Sequence, residues 1–198
     1  MLQNLPEEVL HQQSGGRLAA ELLGFARVPA DPATLAFAGL IGRNGSTHCV
    51  TWLQLPGLDK SEAHALADRY FPGAADLFGC AAAPMPGEAR DTEYEDLMTL
   101  LLDHGAGDEE TRWVALAVAA ACLGQNHLWQ DLGLPNRKVL SSLLTRYFPS
   151  LAARNVSNMK WKKFFYKQLC ERAEILVCKA PSCGVCIDYT KCFGPEET

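Results

Sequence analysis

Displaced by 77 residues, the chain lies over itself without a gap. Asp31 falls on Asp108, Thr34 on Thr111, Trp52 on Trp129, Leu55 on Leu132 and Leu66 on Leu143. The four residues Arg69-Tyr70-Phe71-Pro72 fall on Arg146-Tyr147-Phe148-Pro149. Self-similarity of this kind means one supersecondary unit used twice. Each copy, at about 31–75 and 108–152, reads as a capped helix, a tryptophan-bearing loop and a second helix ending at Tyr-Phe-Pro. Proline disfavours the α conformation in the residue before it, so both helices are expected to stop at the phenylalanine and turn the aromatic pair into the core. Because the tetrapeptide occurs twice, it reads as a helix stop with aromatic anchors and not as a recognition surface.

The rest of the chain is also helical in pattern. Helices are predicted from Glu7 to Leu23, from Glu93 to His104 with Gly105 as a C-cap, and from Asp108 to Leu123, the last apolar nearly all round. No run alternates as strands do, so the expected fold class is all-α. The stretch Cys80 to Arg90, rich in Ala, Pro and Gly, reads as a linker between the copies. The longest apolar run, Trp113 to Leu123, falls short of the roughly 20 residues that span a bilayer. The opening MLQNLPEEVLHQQ lacks the basic and apolar regions of a secretory signal. The expectation is a soluble cytoplasmic protein that engages neither membrane nor nucleic acid. Two parts are expected: a helical domain over 1–157 containing the duplication, and a basic helix plus Cys-rich tail over 158–198.

In that second part Asn158 is placed to cap a helix of about fourteen residues, with Trp161, Phe164, Phe165 and Leu169 as its buried stripe and Lys160, Lys163 and Lys167 opposite. Between Arg154 and Lys191 there are eight Lys/Arg against three Asp/Glu, in a chain whose net charge is −5. The basic segment coincides with a cysteine cluster. Of eight cysteines, Cys170, Cys178, Cys183, Cys186 and Cys192 crowd into the last 29 residues. Without an export signal, cysteines are more often ligands or core residues than disulfides. The tail reads C-x4-C-x2-C-x5-C over Cys178, Cys183, Cys186 and Cys192, close enough for four thiolates to converge on one inorganic centre. Pro181 blocks a helix there and Gly184 permits a tight turn. Val185, Ile187, Tyr189 and Phe193 are candidates to shield the site from water. A zinc site usually pairs two Cys knuckles across a longer stretch, whereas the first three cysteines match the spacing of plant-type ferredoxins. Spacing therefore favours an iron–sulfur type cluster, with structural zinc and a redox dithiol left open. Lys160, Lys162, Lys163, Lys167, Arg172, Lys179 and Lys191 would offset the cluster's negative charge or attract an oxyanion.

The stretches MKWKKFFYKQLCERAEILVCKAPSCGVCIDYTKCFGPE and HLWQDLGLPNRKVLSSLLTRYFPSLAARN closely resemble the NifQ family of nitrogen-fixation proteins. The resemblance is specific from about residue 108 to the end and looser over the first hundred residues, and all four tail cysteines match the family motif. It implies a molybdenum–iron–sulfur cluster held by Cys178, Cys183, Cys186 and Cys192, soft ligands suited to iron and sulfido-bound molybdenum. It further implies donation of molybdenum for the iron–molybdenum cofactor of nitrogenase, with the nitrogenase iron protein NifH and the scaffold NifEN as partners and molybdate as a possible source. Two residues stand as additional ligands: Cys170 as a fifth thiolate, and His127 as a non-thiolate ligand to molybdenum. Cys49, Cys80 and Cys122 are not spaced as ligands and read as core residues. No hydrolytic triad, phosphate loop or paired carboxylates are evident, so a carrier is expected and not an enzyme. The competing readings are a helical interaction module with a structural zinc tail, and an iron–sulfur electron carrier.

Overall fold

In the computed structural model, residues 7–44, 57–74, 92–174 and 189–196 are described, and among them every regular element is a helix. In order these are α1 (Glu7–Phe25), α2 (Pro32–Asn44), α3 (Lys60–Tyr70), α4 (Thr92–Leu102), α5 (Glu109–Cys122), α6 (Leu128–Asp131), α7 (Arg137–Tyr147), α8 (Pro149–Arg154), α9 (Trp161–Arg172) and α10 (Tyr189–Phe193). None is long and apolar enough to cross a membrane. The linker Cys80 to Arg90, Trp52, Leu55, Cys49 and Cys80 lie outside the described residues.

Local chemistry sets the helix starts. The Asp59 carboxylate accepts from the backbone N–H of Glu62 (2.9 Å), and the Glu62 side chain accepts in return from the Asp59 N–H (3.0 Å). Asp108 accepts from Thr111 N–H (2.7 Å), and that bond holds its carboxyl below the ordinary value. Asn136 accepts from Val139 N–H (3.1 Å). The first turn of α2 is served by Asp31, which accepts from the N–H groups of Ala33 and Thr34 and is followed by Pro32 at the first helical position. Helices α3 and α7 both stop at the residue before proline, Phe71 with φ −131° and ψ 57° and Phe148 with φ −132° and ψ 57°. Both phenylalanines are fully buried.

Helix α5 is the centre of the molecule. Trp113 to Ala119 and Ala121 to Cys122 are all buried, which leaves no polar face and accounts for its apolar sequence. One continuous core runs from Leu18 and Leu22 of α1 through α2, α3, α4, α5 and α7 to Trp161, Phe164 and Phe165 of α9. The stripe expected on α9 is thus the buried one.

Two expected details fail. Asn158 does not cap α9: it sits at φ 53°, its side chain accepts from Arg137, and the helix begins at Trp161 after Lys160, with no side-chain cap. A local sequence signal was outcompeted by a tertiary partner 21 residues away. Gly105 is not a left-handed C-cap either. Helix α4 ends at Leu102, and Gly105 is required because a Cβ there would lie 2.4 Å from the Thr111 methyl group.

Where α2 crosses the turn between α6 and α7, two glycines touch. A Cβ on Gly39 would lie 2.7 Å from the Cα of Gly133 and 2.5 Å from the carbonyl oxygen of Leu132. In an exposed helix, Gly39→Ala would gain about 1 kcal/mol from propensity. Here it is expected to lower stability by about 1–3 kcal/mol through overpacking, measurable by urea unfolding. A stabilised Gly39→Ala protein would show that this crossing is not tight.

Candidate functional site at the N-terminal end of α9

Of the four tail cysteines, Cys192 is described and Cys178, Cys183 and Cys186 lie outside the described residues, as do Pro181, Gly184, Val185, Ile187 and Lys179. Cys192 is carried by α10, a single turn anchored on several sides. Its carbonyl accepts from the backbone N–H of Lys160, just ahead of α9 (2.8 Å). Tyr189 and Phe193 stack at 4.6 Å, and Phe193 and the half-buried Cys192 pack against the core. The turn is closed by Gly194 N–H to Thr190 carbonyl (2.8 Å), and a side chain at Gly194 would collide with that carbonyl at 2.4 Å. Beyond it Glu196 pairs with Arg137 (3.0 Å).

Arg137 is the fastener of this end of the molecule. It opens α7, pairs with Glu196 through one nitrogen, and with another donates to the Asn158 carbonyl, the Asn158 side chain and the Met159 carbonyl at 2.8–3.0 Å. One guanidinium so joins α7, the approach to α9 and the chain's last described residue, using the fork geometry that lysine lacks.

The second fastener is Asp131, 2% exposed, at the end of α6. One carboxylate oxygen accepts from Arg43 of α2 (2.8 Å) and from the Asn126 side chain (3.0 Å). The other accepts from the Asn126 backbone N–H (3.0 Å) and from Lys162 of α9 (2.5 Å). Burial pushes the Asp131 carboxyl up, but the bonds from Lys162, Asn126 and Arg43 outweigh it and leave it below the usual carboxylate value. Lys162 also donates to the Gly124 carbonyl (2.8 Å), and Gly124 must be glycine because a Cβ would meet the Asp131 carboxylate at 2.5 Å. The loop 124–127, α2 and α9 are drawn together on one charge.

Between this loop and α9 opens a cavity of about 420 Å³. His127, Asn126 and Gln125 line one side, Lys160, Trp161 and Lys163 another, and Lys191 and Glu196 of the tail complete it. His127 therefore sits in the cavity beside the Cys192-bearing segment; its backbone N–H donates to the Gln130 side chain (3.1 Å). Cys170, half-buried, lies nine residues along α9 from Trp161, about 14 Å at the helical rise, so it and Cys192 belong to opposite ends of that helix. Cys122 is buried in α5 and its thiol is pushed up to about 12 by burial, as suits a packed residue and not a ligand. His104, in contact with Ser150 (2.7 Å), is held below its ordinary value by burial. Lys162 pairs with Asp131, Arg172 with Asp103 and Lys167 with Glu171. Lys160, Lys162, Lys163 and Lys191 line the cavity.

Among the described residues no three His, Cys, Asp or Glu side chains are grouped to hold a metal ion. The donor chemistry is compatible with a metallocluster at Cys192: a half-buried thiol in a motif of four cysteines, one residue from Lys191 of the cavity lining. Arg137 and Asp131 gave no sequence signal, because their partners include residues 21 and 88 positions away.

This is an all-helical protein whose basic last long helix receives a Cys-bearing tail. A model of the NifQ family matches residues 36–194. Protein NifQ of Azotobacter vinelandii is 46% identical over 151 residues, 71% of this chain and 77% of that protein. Protein NifQ of Rhodobacter capsulatus is 35% identical over 179 residues, 87% of this chain and 96% of that protein. A NifQ homolog of Sinorhizobium fredii is 40% identical over 153 residues, 74% of this chain and 64% of that protein. No solved structure matches. The chain belongs to the NifQ family of nitrogen-fixation proteins.

Asp131→Asn is expected to cost about 3 kcal/mol or more, because it leaves Lys162 without its counter-charge in a buried setting. Adding Lys162→Met should recover part of that loss. The wild type carries a lowered Asp131 value, so this contribution is complete above the unfolded carboxyl value near ~4 and fades as pH falls through the folded one. Urea unfolding from pH 7 downward should therefore show the gap between wild type and Asp131→Asn narrowing in acid. A constant gap would contradict it.

Proposed function

We propose that this protein holds a molybdenum–iron–sulfur cluster on Cys178, Cys183, Cys186 and Cys192 and donates molybdenum for the iron–molybdenum cofactor of nitrogenase. The observation that carries this reading is the four-cysteine motif ending at a thiol anchored beside a lysine- and histidine-lined cavity. Membership of the NifQ family supports it. The cluster is cargo, so its ligands must both hold and release it. Thiolates on a tail beyond the last long helix suit that demand better than ligands set into α5 would. The lysines offset the charge that four thiolates bring. His127 is the candidate non-thiolate ligand, and Cys170, at the far end of α9, is the weaker of the two. The protein is a cytoplasmic carrier and not a turnover enzyme in this reading, with NifH and NifEN as receivers and molybdate as the source.

The body reads as two copies of one unit. Support comes from α3 and α7, both eleven residues, each begun by an Asx cap and ended with the same backbone angles before proline. The cysteines and lysines have no counterpart in the first copy, so the function belongs to the segment beyond the second copy.

Protein purified anaerobically from cells supplied with molybdate is expected to contain iron, sulfide and molybdenum, and Cys183→Ala to lose most of all three. Colourless protein with stoichiometric zinc and no iron, even after reconstitution, would overturn the proposal in favour of a structural zinc tail.

A further inference from the structure

The cavity at the start of α9 brings four lysines together at the positive end of a helix. Helix α9 is twelve residues long and its N-terminus has no side-chain cap. Its first i→i−4 bond is Phe164 N–H to Lys160 carbonyl (2.9 Å), so the N–H groups of Trp161, Lys162 and Lys163 precede the helical ladder. These residues line the cavity, where the positive end of the helix dipole adds to their charge. Among the described residues no carboxylate pairs with Lys160 or Lys163, in contrast to Lys162, Lys167 and Arg172 on the same helix. Asn126, Gln125 and His127 add side-chain hydrogen-bonding groups on the opposite wall. The single acid in the lining, Glu196, has a side chain 7% exposed; one oxygen is paired with Arg137 and the other has no hydrogen-bond partner among the described residues.

We propose that this cavity binds a doubly charged tetrahedral oxyanion of the molybdate, sulfate and phosphate class, and serves as the point at which molybdate is held beside Cys192 before its metal joins the tail cysteines. The second half rests on the proposed cluster function; the oxyanion site itself does not. Lys160 and Lys163 supply charge, the start of α9 supplies N–H donors, and Lys191 comes from the same turn as Cys192. Glu196 sets an upper limit on affinity, because its charge faces the same space.

Isothermal titration of the metal-free, reduced full-length protein tests this, with molybdate, sulfate and phosphate as probes. One molybdate per chain is expected, weakening as salt rises. Replacing both lysines, Lys160→Gln with Lys163→Gln, should weaken binding by about tenfold or more, the scale of two lost charge-assisted bonds. Glu196→Gln should tighten it, an effect of opposite sign that damaged folding does not produce. Unchanged binding in the lysine variant, or weakened binding in Glu196→Gln, would overturn the site. Replacing Cys178, Cys183 and Cys186 by alanine should leave molybdate binding intact. Loss of binding there, with retention in the lysine variant, would move the anion to the thiols and refute the cavity while leaving the cluster reading standing. Preference for molybdate over sulfate and phosphate supports the entry role. Equal affinities would keep an oxyanion site and overturn that role.

Discussion

A buried carboxylate without compensation would unravel this molecule at the place where its function is argued to lie. Asp131 accepts four hydrogen bonds from three parts of the chain: α2 through Arg43, the loop after α5 through Asn126, and α9 through Lys162. Its charge is offset by two cations, and its requirement for room dictates glycine at 124. Removing a carboxylate of this kind costs more than its presence contributes, because the cations around it were desolvated on its account. The consequence is positional. The loop bearing His127 and the start of α9 are held at a fixed separation, and that separation is the cavity.

The rest of the site is assembled on this frame. Trp161 seals the start of α9 to α7, its indole N–H donating to Ser141 (3.0 Å). Arg137 ties the approach to α9 and the tail's Glu196 into one cluster. The Lys160–Cys192 backbone bond and the Phe193 contact hold the α10 turn at the same end of the helix. Glu174 lies past the C-terminal end of α9, whereas the α10 turn is anchored at the N-terminal end of that helix.

How much of this was legible in the sequence depends on the range of the interaction concerned. Period and local chain stops gave the helical class of the described elements, the buried α5 with its start to within one residue, and the stops at Phe71 and Phe148. The aromatic stripe of α9 was legible for the same reason. Where a local signal competed with a distant partner, the partner prevailed. Asn158 had the composition of a cap but is held by Arg137, and Gly105 serves the approach of Thr111 and not a helix end. Only a distant neighbour, Asp131, distinguishes Lys162, which both holds the fold and lines the cavity with Lys160 and Lys163. The cysteine motif is visible in the sequence through its short spacing, and only its last member, Cys192, falls among the described residues. The surroundings of that member were not legible, since they are assembled from α6, α7 and α9.

The central claim is that the inorganic centre sits at the start of α9, on the sulfur of Cys192. Anomalous scattering at the iron edge from crystals of the anaerobically loaded protein tests it most directly. The account predicts an iron peak within bonding distance of the Cys192 Sγ, beside the cavity lined by His127, Lys160 and Lys163. An iron peak remote from Cys192, with that sulfur bonded to no metal, would contradict it.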